Sequence, residues 1–241
     1  MEKRLLNLIS FLLTPLTKKF FKKLGKNEYV NKTVNLYPNK TFVKIRFWDA
    51  PFIEVEKIVP SNGKILDLGC GEGIFTNYMA ISSGKRKIIG VELDRSRIAQ
   101  ADKGLKNVKF TNADVLKQDF PRVDVVVMFH LLHHLTSFES QEELFKKLVK
   151  KITKGGKLII VEAEKEFSYK YFLAFFTDHF LVPLLFEKKW YSPIFFRTSQ
   201  QWRNFIESLG FSCKIKAISQ GKPFSHVVLV CKKIISLSLF F

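Results

Sequence analysis

The sequence predicts an α/β fold: a doubly wound, mostly parallel seven-stranded sheet that finishes in an antiparallel hairpin. Three observations predict it. From Pro60 onward, short apolar runs alternate with helical stretches; the first run passes straight into a glycine-rich loop; and the last two β-rich runs are separated only by a turn. Lys64–Leu68 is the first apolar strand, and residues 74–82 after its glycine loop read as a helix. Lys87–Glu92 is the second strand, followed by a helix near 94–104 and by Val108–Phe110, a third strand leading to Asp114. Asp124–Phe129, half of it valine, has the character of a strand buried on both faces. A helix over 138–152 precedes Lys157–Glu162, the fifth strand. Thr198-Ser199-Gln200-Gln201 has the form of a capping box, and Gly210 closes the helix it starts. Phe211–Ala217 and His226–Cys231 then form the hairpin around a Gly-Lys-Pro turn.

Composition sets outer limits. With 241 residues, 46% hydrophobic and 26% charged, the chain can bury a sizeable core, which excludes global disorder. Forty basic residues against 22 acidic ones give +18, a charge suited to an anionic partner such as nucleic acid or a lipid surface. Only eight of the 40 are Arg, the residue favoured for reading nucleic acid, so a general affinity for anionic surfaces is the better expectation. The three cysteines, Cys70, Cys213 and Cys231, have neither a disulfide framework nor a zinc spacing; the expectation is no disulfide, no metal and a reducing, cytoplasmic compartment.

The chain divides into a basic amphipathic helical segment at 1–45 and a catalytic-type domain at 46–235 with an insertion at 165–197. Residues 1–26 carry seven basic residues and one acid around a leucine-rich stripe too short to span a bilayer. That pattern fits a helix lying on an anionic membrane surface, or one packed on the body of the protein. The insertion holds 12 aromatic residues between Phe167 and Phe196, which suits a lid over the strand ends and an apolar acceptor pocket. Asp178 and His179 could form an acid–base pair within it, and Lys188-Lys189 beside Trp190-Tyr191 make a basic–aromatic edge.

The chemistry should sit on Asp67-Leu68-Gly69-Cys70-Gly71-Glu72-Gly73. Alternate glycines directly after a strand let the backbone approach a ligand closely. A dinucleotide fingerprint would need glycine where Ile74 stands, and a P-loop would need Gly-Lys-Ser/Thr, which is absent. Glu92 ends the next strand, where a doubly wound fold places a carboxylate for ribose hydroxyls, and Asp114 follows the third.

These residues, together with Gly90-Val91-Glu92-Leu93-Asp94, Ala113-Asp114-Val115, Phe129-His130-Leu131-Leu132-His133-His134-Leu135 and Lys154-Gly155-Gly156-Lys157-Leu158, resemble the class I S-adenosylmethionine-dependent methyltransferases. The likeness runs over about 61–164 and is nearest to the small-molecule branch, with a Rossmann-like fold. It implies S-adenosyl-L-methionine as cofactor. Gly69, Cys70, Gly71 and Gly73 would hold its methionine part, with Asp67 oriented to the amino group. Glu92 would take the ribose, Leu93 the adenine face, and Asp114 and Val115 the adenine edge. Phe129 and His130 would face the methyl group and acceptor, His130 being the candidate base, ahead of His133 or His134. No Asn/Asp-Pro-Pro-Tyr/Phe motif or Pro-Cys follows strand four, against adenine and cytosine-C5 methylation of DNA. The expected acceptor is an apolar small molecule or lipid-like compound, methylated at oxygen, with peripheral membrane attachment through residues 1–26. An RNA methyltransferase and a non-catalytic module that binds the same cofactor are the alternatives.

Overall fold

The structure, a computed structural model, describes residues 20–164, 169–176, 194–219 and 221–234. The first 19 residues of the basic segment, Asp178-His179, Lys188-Lys189 and most of the aromatic insertion lie outside the described residues.

Seven strands form one sheet: β1 (Gly63–Leu68), β2 (Arg86–Glu92), β3 (Val108–Asn112), β4 (Val123–Phe129), β5 (Ile152–Ala163), β6 (Phe211–Ile218) and β7 (His226–Lys233). Their order is β3-β2-β1-β4-β5-β7-β6. Strands β1 to β5 run parallel, and β7 inserts antiparallel between β5 and β6. The predicted sheet and its closing hairpin are therefore both observed. The order reverses between β1 and β4, which opens a crevice at their carboxyl ends.

Side-chain alternation explains why the central strands read as unbroken apolar runs. Leu66, Leu68, Val126, Met128, Leu158, Ile160 and Leu229 face one core. Ile65, Val125, Val127, Ile159, Val161 and Val228 face the other. The first core is closed by α6 (Phe138–Lys151) and α8 (Ser199–Ser208), through Leu144, Phe145, Leu148, Trp202 and Ile206. Helix α6 starts where the Ser137 hydroxyl accepts from the Ser140 amide, and it carries Glu139 in its first turn and two lysines in its last, matching the helix dipole. The capping box predicted at Thr198 is present, with Gln201 returning the bond.

The second core is closed by α4 (Ile74–Ser82) and by three helices from a region without a recognisable motif: α1 (Glu28–Asn35), α2 (Lys40–Asp49) and α3 (Phe52–Glu56). Val30, Val34, Val43, Phe47, Phe52 and Val55 bury there against Phe75, Tyr78 and Met79. Phe47 meets the rings of Phe52 and Tyr78 edge-on at 5.5 and 5.1 Å. Also described are the short helices α5 (Arg95–Ala101) and α7 (Tyr169–Phe176) and a 3-10 turn at Leu132–His134.

One expectation from the cysteines is overturned. Cys213 and Cys231 form a disulfide. The β6–β7 register sets them directly opposite each other, both buried, a pairing that spacing alone does not reveal. The inference of a reducing compartment loses its support with it. Among the described residues no helix is long and apolar enough to cross a membrane.

Candidate active site

The glycine loop leaves β1 with Gly69, Gly71 and Gly73 at φ of 70°, 55° and 71°, the left-handed region that a Cβ disfavours. The amides of Gly69 and Cys70 donate to the Val91 carbonyl at 2.8 and 3.0 Å, which binds the loop to the end of β2. Two of these glycines serve different needs. A Cβ at Gly73 would lie 2.8 Å from Ala101 Cβ and 2.9 Å from the Phe110 ring, so this glycine permits close packing. A Cβ at Gly71 would meet nothing within 4 Å, so the loop there faces open space.

Acidic side chains lie beneath this turn and at the neighbouring strand ends. Asp67 is buried beneath the loop and accepts a 2.6 Å bond from the Thr76 hydroxyl. Burial pushes its carboxyl up to about 7, against the pull of that bond. Glu92, half-buried, accepts from the Gly71 amide and the Asp94 amide, both at 2.9 Å. The Asp94 side chain in turn caps α5 by accepting from Ser96 and Arg97. Leu93 projects with 68% of its surface exposed. Asn112 ties the end of β3 to this corner, donating to the carbonyls of Glu92 and Leu93 at 3.0 and 2.7 Å. Asp114 lies two residues beyond β3 and accepts from the Leu116 amide at 2.9 Å, while Val115 is buried beside it. Burial raises the Cys70 thiol, which keeps it protonated.

The exit of β4 forms the next wall. Phe129 packs its ring on Phe75 and Phe52 at 4.5 and 5.1 Å. His130 is half-buried and has φ 50°, the one left-handed residue other than glycine among those described. Such a conformation costs about 1–2 kcal/mol and is held here by the His130 amide donating to the Val161 carbonyl at 2.9 Å. Burial, and then the nearby imidazole of His226, hold its basicity well below the usual histidine range. Its Nε2 is buried without a partner. His133 is buried, pairs through Nδ1 with Glu162 and stacks on Phe196 at 4.7 Å. Glu162 also accepts from the Leu132 amide at 2.9 Å, so this acid fixes the loop after β4. Beyond it, Tyr171, Phe175, Ile194, Phe196 and Phe224 form a small aromatic-rich cluster around Ala163.

The carboxyl ends of β1, β2 and β4 thus gather Asp67, the glycine loop, Glu92, Phe129 and His130, with Leu93, Asp114 and Val115 along the β2–β3 side. Sequence reasoning missed several supports. Tyr37 donates its hydroxyl to the Glu72 carbonyl at 2.9 Å and accepts from Asn77 at 2.8 Å. Nothing near residue 37 signals this, because the contact spans 35 residues. Glu162 did carry a signal, as an acid inside the apolar run Leu158–Ala163. His226 begins β7, and its Nε2 meets the Asp49 carbonyl at 2.7 Å. Lys222 donates to the carbonyls of Phe47, Trp48 and Ala50, and Trp48 donates to that of Gly221. The C-terminus of α2 is thereby clasped by the β6–β7 turn.

Comparisons with known proteins bear on the domain and the fold. Residues 65–156 match the family model of the methyltransferase domain. Protein 235L of Invertebrate iridescent virus 6, named for methyltransferase activity, is 29% identical over 112 residues, 46% of this chain and 41% of that protein. The carboxy-S-adenosyl-L-methionine synthase of Campylobacter jejuni subsp. doylei is 28% identical over 130 residues, 51% of this chain and 55% of the synthase. The chain therefore spans about half the length of the curated relatives it matches. Among solved structures, DhpI in its SAH complex superposes with a TM-score of 0.62 at 19% identity, covering 86% of this chain and 93% of that one. Over residues 65–156 the chain thus carries a methyltransferase domain, and it resembles the class I S-adenosylmethionine-dependent methyltransferases in fold.

Proposed function

We propose that this protein transfers the methyl group of S-adenosylmethionine to an apolar small molecule or lipid-like acceptor, at oxygen. The observation that carries the reading is the convergence of an open glycine turn at Gly71, the Glu92 carboxylate and the strained His130 on one crevice. The residues present fit the cofactor: open space over Gly71 admits its methionine part, Glu92 offers oxygens for ribose hydroxyls, and the exposed Leu93 offers an apolar face for adenine. Asp67 would sit toward the amino group, with Asp114 and the Val115 amide toward the adenine edge. Bound there, S-adenosylmethionine supplies an electrophilic methyl group on a sulfonium.

The chain's own work is alignment and exclusion of water. Phe129, backed by Phe75 and Phe52, gives the β4 wall a rigid apolar surface. His130 takes the acceptor's proton; its lowered basicity keeps it neutral, and hence ready to accept one, at physiological pH. The cluster of Tyr171, Phe175 and Phe196 lies beyond His133 and supports an apolar acceptor.

Isothermal titration with S-adenosylmethionine tests the site. Glu92→Ala is expected to weaken binding about tenfold to a hundredfold, since the ribose bonds to an ionised group are lost and the Gly71 amide is freed. An unchanged affinity would remove Glu92 from the site. Labelled methyl donor incubated with fractionated lipid and RNA extracts tests the acceptor; label in RNA alone would replace the small-molecule reading.

Asp67 gives a pH dependence of defined sign. Its carboxyl, raised to about 7, is protonated below that pH and carries no charge for an ammonium group. Affinity for S-adenosylmethionine is expected to rise by up to about tenfold per unit below 7, then level off before the ligand's amine deprotonates near 8. In the free protein the sign reverses. The native state keeps a proton that the unfolded chain releases near 4, so stability falls between about 4 and 7. Asp67→Asn should flatten both curves, read by titration and by denaturant unfolding across that range.

A further inference from the structure

We propose that His226 is the positioning residue for His130, accepting a hydrogen bond from its Nε2–H and so fixing the tautomer in which Nδ1 receives the acceptor's proton. The proposal rests on the methyl-transfer reading above and adds a residue that lies 96 positions downstream, outside the matched methyltransferase domain.

The tautomer of His226 follows from its partner. The Asp49 carbonyl can only accept, so the 2.7 Å contact requires a proton on His226 Nε2. A neutral His226 then carries its lone pair on Nδ1. That nitrogen is buried and has no partner, and so is Nε2 of His130. A lone pair and a potential N–H, both buried and both unpaired, are costly to leave apart. They belong to rings whose centroids lie 5.0 Å apart at 62°. A modest rotation of the His130 ring would join them and satisfy both.

The surroundings bias the pair in the same direction. His226 is fully buried at the start of β7, where the backbone pairs with Ala163 of β5 and Ile218 of β6. Its ring is held at the far nitrogen by the clasped end of α2, so it cannot turn to offer Nε2. The charged and titratable groups around the pair are Arg46 and Asp49 from α2, His133 and His134 from the turn after β4, and Lys222 before β7. Glu162 is already engaged by His133 and the Leu132 amide. Glu162 therefore orients the loop, and the role of orienting His130 falls to His226. In the reaction the acceptor's O–H proton ends on His130 Nδ1. The oxygen keeps the electron pair with which it bonds the methyl carbon, and the sulfur retains the pair of the broken S–C bond as a neutral thioether. The imidazolium so formed still donates from Nε2 to His226 Nδ1, until water removes the proton from Nδ1.

The test uses the full chain labelled with 15N-histidine, whose five histidines give a readable long-range 1H–15N spectrum. The wild-type spectrum is expected to show His130 with Nε2 protonated and Nδ1 unprotonated at pH 8. His226→Leu should convert His130 to a mixture of tautomers; His226→Asn, which keeps an amide oxygen in place of Nδ1, should restore the wild-type form. A wild-type His130 protonated at Nδ1, or a tautomer unchanged in His226→Leu, overturns the proposal. If His226→Leu does not fold, the wild-type spectrum alone still decides. Titration with S-adenosylmethionine distinguishes the two failures: absence of binding ends the methyl-transfer reading, whereas binding with the wrong tautomer ends only the role of His226.

Discussion

Replacing Gly71 with arginine is expected to abolish S-adenosylmethionine binding, by a hundredfold or more, while leaving the fold in place. The two halves of that expectation come from the same geometry. Gly71 has φ 55°, so any side chain there bears the left-handed penalty, about 1–2 kcal/mol. Yet a Cβ would meet no atom within 4 Å, so no steric cost is added, and the amide can still donate to Glu92. The guanidinium would extend into the space over the loop and pair with the Glu92 carboxylate, filling that space and neutralising the group proposed to take the ribose. Gly73→Ala should do the reverse. Its Cβ would press on Ala101 and Phe110 at 2.8–2.9 Å, so stability falls and any loss of binding follows from unfolding. Calorimetric titration beside thermal melts separates the cases. Gly71→Arg binding within threefold of wild type would show that the cofactor does not lie over this turn.

The largest expected loss of stability lies at Arg86, at the start of β2. Its side chain is 3% exposed, and all three guanidinium nitrogens are engaged. Nε donates to the Pro60 carbonyl at 2.8 Å, one terminal nitrogen to Glu56 and to the Met79 carbonyl at 2.8 Å, and the other to the Val59 carbonyl at 3.0 Å. One cation thus satisfies the end of α4 and the segment that follows α3, joining both to the sheet. Arg86→Met keeps the volume but leaves Glu56 and three carbonyls without their donor in a largely buried place. The expected cost is about 3–5 kcal/mol, because breaking one side of a buried ion pair leaves an uncompensated charge. Adding Glu56→Gln should recover part of it. Equilibrium unfolding in urea measures the difference, and a loss below about 1 kcal/mol would mean that water replaces the guanidinium there.

The sheet was legible because buried parallel strands announce themselves as apolar runs, and the observed bounds extend the expected ones by only a residue or two in β1, β2, β3 and β4. Strand β5 was read too short. Its first part, Ile152–Gly156, holds two glycines and a lysine, and it joins β4 only through a register shift between Val123 and Val125. The glycine loop, Glu92, Asp114 and His130 were visible as residues placed at strand ends, where a doubly wound sheet puts its ligands. What orients them was not visible. Thr76 beneath Asp67, Tyr37 on the loop and His226 beside His130 act across distances in sequence that only the folded register closes. The Cys213–Cys231 bond was missed for the same reason: one hairpin register makes the pair, and a shift of one residue would send the two side chains to opposite faces.

The clasp on α2 has a consequence for biosynthesis. Its bonds join residues 172 to 177 positions apart, so they cannot form until the final strand has emerged from the ribosome. The ring that abuts His130 arrives with that strand. A nascent chain stalled before residue 220 would lack both the clasp on α2 and the ring beside His130, so the two are completed together and late in synthesis.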